Sequence, residues 1–403
     1  MALISEDTLR FIHQHRTENV RTLALQSARY PGVDMQTALT QISGWQVARE
    51  KVPTWAETEG ILYPRHLSME QCSSEQTARY KAEVVQSICS EHTYTSFADL
   101  TGGFGIDCAF LAAHFSSATY VERQEELCEL AQHNFALLGG SHIRVCHADA
   151  VTFLEQMQPV DFLFLDPARR DDKGGKTVAI SDCEPDVKAL ETLLLQKAKR
   201  VMVKLSPMLD LSLALNDLSH VAEVHVVSVN NECKELLLLL AQQPLADAAA
   251  TPIHCVNLTS HSTQAIAFTR VEEQNQPLTC ASQLGQYLYE PNASLLKAGA
   301  FRTLCNIYKV EKLHPNSHLY TSQLLVPDFP GRTFRIVQSC GFSKKELKQL
   351  LSGVKQANLT VRNFPATVAE LRRRLKLADG GSTYLFATTL ANEEKLLIAG
   401  ERL

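Results

Sequence analysis

Between Asp7 and about Val52 the apolar positions recur at helical intervals: Leu9 and Ile12, then Val20, Leu23 and Ala24, then Ala38, Leu39 and Ile42, with Tyr30-Pro31-Gly32 as an interruption. This spacing predicts a small helical N-terminal segment. Beyond the loops at Pro53 and Pro64, Ser73-Ser74-Glu75-Gln76-Thr77 sets hydroxyls ahead of acidic and amide residues, the chemistry of a capped helix start. That helix is expected to run through Tyr80, Val84 and Ile88. From Ser96 the period changes. Short β-rich runs at Phe97–Leu100, Thr119–Val121, Ile143–Cys146, Val160–Leu165, Val201–Leu205 and Val224–Val229 alternate with helical stretches, which predicts a parallel sheet wrapped by helices. The gap from Val229 to the next run, Glu235–Ala241, is too short for a helical crossover. The last two strands are therefore expected to form an antiparallel hairpin.

Ala248-Ala249-Ala250-Thr251-Pro252 reads as a linker. A second region follows, with strand-like Ala265–Arg270 and a stretch from Tyr287 to Phe301. After Val326-Pro327-Asp328 the pattern alternates strand-like Arg332–Val337, helical Lys344–Val354, strand-like Asn358–Val361, helical Thr367–Leu377 and strand-like Tyr384–Ala387, a small α+β domain. The expected organisation is an N-terminal helical segment (1–72), an α/β domain with a Rossmann-like, mostly parallel sheet whose last strand is antiparallel (73–246), and two α+β regions (247–325 and 326–403). One reversed strand at the end of such a sheet resembles class I methyltransferases, whereas dinucleotide-binding sheets normally stay parallel.

With 403 residues, 45% hydrophobic and 21% charged, the chain is neither disordered nor of low complexity. Its first residues mix Glu6, Asp7, Arg10 and two histidines with apolar ones, so export is not expected, and the longest apolar run, Leu236–Ala241, is too short to span a bilayer. The 11 cysteines include no C-x-x-C pair, which fits reduced thiols in a cytoplasm. No H-E-x-x-H pattern occurs among the 14 histidines, and Pro315 separates His314 from His318, so no metal is assigned. The net charge of −5 conceals an asymmetry: residues 297–403 hold 17 Lys/Arg against 8 Asp/Glu, while the rest of the chain is acidic.

The densest chemical signal is Asp99-Leu100-Thr101-Gly102-Gly103-Phe104-Gly105-Ile106-Asp107, a strand end leading into a glycine-rich turn and a helix. Glycines permit a tight turn and close approach of a nucleotide-like ligand. Glu122, followed by Arg123, ends the second strand, Asp149 and Ala150 follow the third, and Asp166 closes the fourth. In a doubly wound sheet these strand ends line one crevice, so Asp99, Glu122, Asp149 and Asp166 are expected to converge on one cofactor. Glu122 is suited to the ribose hydroxyls, Asp149 with the Ala150 amide to the adenine edge, and Asp99 to the cationic methionine end of S-adenosylmethionine. NAD also explains the glycines and Glu122, but its pyrophosphate would be repelled by Asp99. The glycines could instead form only a packed turn, and Glu122 could be a solvated helix-start residue.

Asp166-Pro167-Ala168-Arg169-Arg170 follows a buried-type strand. Pro167 removes a donor and turns the chain, leaving Asp166 and nearby carbonyls to accept hydrogen bonds from a substrate N–H, while Arg169 and Arg170 clamp phosphate or a carbonyl oxygen. Methyl transfer to nitrogen requires mainly alignment. A cysteine nucleophile for carbon methylation is missing from the fifth-strand exit, Lys204-Leu205-Ser206-Pro207. The polar segment from Asp171 to Thr177 suits a lid over the substrate, or a plain surface loop.

Taken together, DLTGGFGID (99–107), YVER (120–123), HADA (147–150) and LDPARR (165–170) resemble class I S-adenosylmethionine-dependent methyltransferases. EQCSSEQTARYKAEVV (70–85) resembles the helix that precedes the glycine loop in RNA cap and RNA base methyltransferases, which implies cofactor roles for Glu75 and Thr77. With KLSPMLD (204–210), VSVNNECKELLL (227–238), EPNASLLKAGAF (290–301), HPNSHLYTS (314–322) and FPGRTFRI (329–336), nearly the whole chain resembles a bacterial methyltransferase family with a C-terminal THUMP-like domain. That resemblance implies a ferredoxin-like middle piece and a terminal module similar to an RNA-binding domain of tRNA-modifying enzymes. Amino-group methyltransferases usually carry an aromatic residue after Asp-Pro-Pro to stack on a flipped base; Ala168 and Arg169 stand here instead.

The basic end includes Lys344, Lys345, Lys348, Arg362, Arg372, Arg373 and Arg374, candidates for an RNA backbone. Three consecutive arginines on a helix are roughly 100° apart and cannot share one face, and an ordinary solvated surface is the alternative. The expected activity is methylation of a nitrogen in tRNA or rRNA. An RNA-binding scaffold with a non-catalytic methyltransferase domain, or a methyltransferase acting on a small molecule or protein, are the other readings.

Overall fold

The computed structural model describes residues 4–169, 179–260 and 262–403 and divides the chain into two compact units, residues 1–222 with 236–245 and residues 223–235 with 246–403. In the first unit, helices α1 (Glu6–His15), α2 (Val20–Leu25) and α3 (Met35–Lys51) are capped by Ser5, Asn19 and Asp34 and pack around Phe11, Leu23, Ala38 and Ile42. Pro53 begins α4 (Pro53–Glu57), where its missing N–H costs nothing. After α5 (His66–Gln71), the Ser74 hydroxyl caps α6 (Glu75–Glu91), the helix that the Ser-Ser-Glu-Gln-Thr pattern predicts.

The sheet of this unit comprises β1 (Ser96–Asp99), β2 (Ser117–Glu122), β3 (Ile143–His147), β4 (Val160–Leu165) and β5 (Ala198–Leu205), joined by α7 (Ile106–Ala112), α8 (Glu125–Leu137), α9 (Ala150–Gln156) and α10 (Val187–Lys197). After α11 (Leu211–Asp217), β6 (Val221–Val229) turns through Asn230-Asn231 into β7 (Glu232–Ala241). Both asparagines have positive φ, the backbone of a two-residue hairpin turn. Within the first unit the strand order is β7-β5-β4-β1-β2-β3, with β7 antiparallel to β5 and the other pairs parallel. Helices on both faces account for the unbroken apolar runs: Phe162 to Leu165 and Val201 to Val203 are all buried. Asp161 ties β4 to the entry of β1, accepting from the Thr95 and Ser96 amides at 2.8 and 3.0 Å, from the Ser96 hydroxyl and from Lys199.

The second unit differs from the sequence pattern at its start. The expected linker contains only a short helical turn and leads directly into β8 (Ile253–Leu258), which pairs in parallel with β6, while β9 (Thr263–Phe268) pairs antiparallel with β8. His254 and Asn257 break the apolar run of β8, which hides it from a hydrophobicity pattern. After α12 (Arg270–Asn275) come β10 (Tyr287–Pro291), α13 (Ala293–Ala298), α14 (Phe301–Tyr308), β11 (Glu311–Lys312), β12 (Tyr320–Ser322), β13 (Gly331–Cys340), α15 (Lys344–Leu350), β14 (Asn358–Arg362), α16 (Val368–Leu375), β15 (Tyr384–Thr389) and β16 (Lys395–Arg402). These strands form one seven-stranded sheet in the order β11-β12-β10-β13-β16-β15-β14, in which β14 and β15 alone are parallel. Residues on either side of position 326 therefore share a sheet, through β10 and β13. Leu288, Phe334, Phe386 and Ile398 fill one core, and Leu350, Leu371, Leu385 and Leu397 fill another beneath α15 and α16. Among the described residues no helix is long and apolar enough to cross a membrane, and all 11 cysteines are free thiols.

Candidate functional site

The loop between β1 and α7 is held by packing from below. A Cβ on Gly102 would lie 2.1 Å from the Tyr120 ring of β2, so packing against the sheet requires this glycine. Gly105, at φ +91°, stands at the N-cap of α7, and a Cβ there would also meet Phe135 at 2.9 Å. Gly103 differs. It has φ +53°, the nearest atom to an added Cβ would be Thr101 O at 3.9 Å, and the space beside its backbone is open.

Hydrogen bonds connect this loop to the ends of three strands. Asp99 Oδ1 accepts the Thr101 amide at 2.9 Å, Glu122 Oε2 accepts the Gly103 amide at 2.9 Å, and the Thr101 hydroxyl accepts the Asp166 amide at 2.6 Å. Glu122 Oε1 takes the Gln124 amide as well. Asp99 is buried, and desolvation drives its carboxyl well above the usual range; the Thr101 amide opposes this, and the negative charges of Asp107, Asp166 and Glu122 add to it. Four carboxylates thus gather at one turn.

Two lysines to which the sequence reading gives no role supply the balancing charge. Lys81 of α6 is fully buried, with Nζ 3.2 Å from Asp107 Oδ1 and 3.3 Å from the Ser73 hydroxyl, which itself donates to Asp107 Oδ2 at 2.7 Å. Lys204 at the end of β5 lies 3.9 Å from Asp107 Oδ2 and donates to Asp166 Oδ2. Burial pushes the Asp107 carboxyl up, but Lys81 and Lys204 outweigh it and hold the group below the ordinary carboxylate range. The sequence signal for these lysines is only their place, one in the helix before the glycine loop and one at a strand end.

The remaining expected residues occupy varied positions. Asp149 is exposed and caps α9, its Oδ1 accepting the Val151 and Thr152 amides, both at 3.0 Å; these bonds, led by that from Thr152, lower its pKa. Ala150 is the first residue of that helix. Arg123 is exposed, 3.7 Å from Glu184. Thr77 is buried in the first turn of α6. Glu75 is committed within the protein: its carboxylate accepts the Thr54 amide and hydroxyl at 2.9 Å each and two bonds from Arg79. Pro167 is buried and Ala168 exposed, in a short ladder of Ala168–Arg169 with Cys183–Glu184. Arg170, the expected lid 171–177 and the side chain of Arg169 lie outside the described residues.

On the second unit, Lys344, Lys345, Lys348, Arg373 and Arg374 are exposed on α15 and α16. Arg374 sits 5.9 Å over the ring of Phe342, which packs on Phe364 at 4.7 Å, so these aromatics are used internally. Arg362 does not join the exposed set: with Arg332 it pairs with the buried carboxylate of Glu290, at 3.0 Å. Arg372 pairs with Asp379.

A ferredoxin-like domain family matches residues 287–330 and a THUMP domain-like family matches residues 331–402. No curated protein matches the chain. The crystal structure of a methyltransferase-family protein from Porphyromonas gingivalis W83 is 36% identical, with 100% of each chain covered and a TM-score of 0.87. TrmN from Thermus thermophilus is 14% identical over 49% of this chain and 53% of its own, at a TM-score of 0.33, and a SAM-dependent methyltransferase from Agrobacterium tumefaciens is 15% identical over 42% and 62%, at 0.29. These last two likenesses are too distant to argue from.

Proposed function

Because the chain belongs to the methyltransferase family that carries a C-terminal THUMP-like domain, we propose that it transfers a methyl group from S-adenosylmethionine to a nitrogen of an RNA base, with the basic surface of α15 and α16 docking the RNA. The observation that carries this reading is the hydrogen-bonded circuit Asp99–Thr101–Asp166 and Gly103–Glu122 at the carboxyl ends of β1, β2 and β4.

The residues suit that cofactor on physical grounds. A carboxyl as buried as Asp99, surrounded by three further acids, favours a cationic group beside it and disfavours a pyrophosphate. The open face of Gly103 leaves backbone accessible to a ligand. Glu122 would hold the ribose hydroxyls, Asp149 and the Ala150 amide the adenine, and Asp99 the methionine end. When bound, S-adenosylmethionine supplies an electrophilic methyl group on a sulfonium.

The rest is positioning. Asp166 and the carbonyls around Pro167 accept hydrogen bonds from the amino group and aim its lone pair. Lys204 fixes the Asp166 carboxylate through their ion pair and links it to Asp107. Arg169 and Arg170 would engage phosphate or a base carbonyl.

Calorimetry with S-adenosylhomocysteine, paired with methyl transfer to RNA, tests the reading. Wild type is expected to bind the product and to transfer the methyl group, and Asp166→Ala is expected to keep RNA binding while losing transfer. Product binding by wild type without any methyl transfer would favour a scaffold, transfer that survives Asp166→Ala would remove the role given to Asp166, and absence of product binding by wild type would remove the methyltransferase reading altogether.

A further inference from the structure

Away from the carboxylate circuit, the second unit brings together three residues that no local spacing connects. Glu223 and His225 are two apart on β6 and so project from the same face, and His254 of β8 is the register partner of His225 across the parallel pair. Their ligating atoms converge. His225 Nε2 is 3.3 Å and His254 Nε2 2.7 Å from the same oxygen, Glu223 Oε1, and all three donor atoms lie within 4.8 Å of one another. The two imidazoles stack with centroids 4.7 Å apart and planes inclined by 14°.

We propose that Glu223, His225 and His254 form a binding site for one divalent transition-metal ion of the zinc type, which cross-links strands β6 and β8. Metal–ligand bonds of about 2.1 Å in tetrahedral geometry place donor atoms roughly 3.4 Å apart, and the observed separations need only small side-chain adjustments to match. Two imidazole nitrogens and one carboxylate select zinc, nickel or copper over magnesium or calcium, which require oxygen. His225 is buried and anchored in the strand, whereas the Glu223 and His254 side chains are about one-third exposed, which provides an entry path and room for a water as the fourth ligand. The sequence alone assigns no metal because the recognisable spacings are histidines four apart on a helix or paired cysteines. Here the ligands are set two apart on one strand and across the ladder on another.

The site is independent of the methyl-transfer reading and is tested on the full-length protein. After dialysis against chelator, the chain is titrated with zinc by calorimetry and with cobalt by visible absorption, beside His254→Gln and Glu223→Gln. Both substitutions lie at partly exposed positions, and circular dichroism of the metal-free proteins checks that they fold. The expected result is one zinc per wild-type chain, weakened in each variant by more than the roughly 10–100-fold that loss of an outer-shell partner costs, and cobalt ligand-field bands without thiolate charge transfer. Equal zinc binding by wild type and both variants, thiolate charge transfer from the free cysteines, or no stoichiometric binding would each overturn the proposal and leave a hydrogen-bonded His-Glu-His cluster.

Discussion

Replacing Lys81 with Met removes a positive charge from the interior of the first unit. Lys81 is fully buried and its Nζ lies 3.2 Å from Asp107, whose side chain is 10% exposed, while Lys204 stands 3.9 Å from the same carboxylate. At an effective dielectric of about 20 these two pairings are worth roughly 5 and 4 kcal/mol before desolvation. Truncating one member of a buried pair costs about 3–5 kcal/mol, because the other charge is left uncompensated. Since Lys204 remains, the expected loss is about 3 kcal/mol. Lys81→Met with Asp107→Asn removes both charges together and is expected to return to within about 1 kcal/mol of wild type. Urea unfolding followed by tryptophan fluorescence reads the first unit selectively, because Trp45 and Trp55, the chain's 2 tryptophans, both belong to it. The pH dependence has a definite sign. The Asp107 pKa is depressed in the folded protein, so its contribution is present above the unfolded carboxylate pKa of about 4 and disappears as pH falls through the lower folded value. Losses from the two single substitutions that add to within about 0.5 kcal/mol in the double variant would refute the coupling.

Asp161→Asn should destabilise the first unit by about 2 kcal/mol at neutral pH through weakened bonds to the Thr95 and Ser96 amides. Because Asp161 also has a depressed pKa, where burial is outweighed by Lys199 and those amides, urea curves of variant and wild type should converge as pH falls below about 4. The glycines should separate by role: Gly102→Ala meets the Tyr120 ring and should cost about 3 kcal/mol or prevent folding, whereas Gly103→Ala should cost about 1 kcal/mol for its positive φ yet weaken S-adenosylhomocysteine binding, read by thermal unfolding and calorimetry. Substituting alanine for Lys344, Lys345, Lys348 and Arg373 should weaken RNA binding and lower the slope of log K against log salt by about 1 for each phosphate no longer neutralised. Arg362→Ala should instead destabilise the second unit by about 2 kcal/mol, its partner Glu290 being buried, and leave that slope unchanged.

The sheet of the first unit is readable from sequence because its strands are buried on both faces and its turns carry strong punctuation: the apolar runs ending at Asp99, Glu122 and Asp166 give the strands, and Asn230-Asn231 gives the hairpin. The acids at those strand ends are readable for the same reason, since topology alone brings them to one edge. β8 escapes notice because His254 and Asn257 interrupt its apolar run, and the strand has meaning only beside β6. Lys81 and Lys204 escape because a buried lysine looks in sequence like a solvated one; only the three-dimensional placement of Asp107 between them reveals the difference. Arg362 is the converse case, a residue that reads as surface charge and is held by Glu290, a buried carboxylate 72 positions away in sequence.

Mass spectrometry of nucleosides tests the central claim most directly. Total RNA from cells lacking the protein would be incubated with S-adenosylmethionine and either the purified wild-type chain or Asp166→Ala. A methylated nucleoside that carries its new methyl group on nitrogen and forms with wild type alone is the predicted result. RNA that stays unmethylated with folded, cofactor-binding wild type, or that is methylated equally by Asp166→Ala, would contradict it.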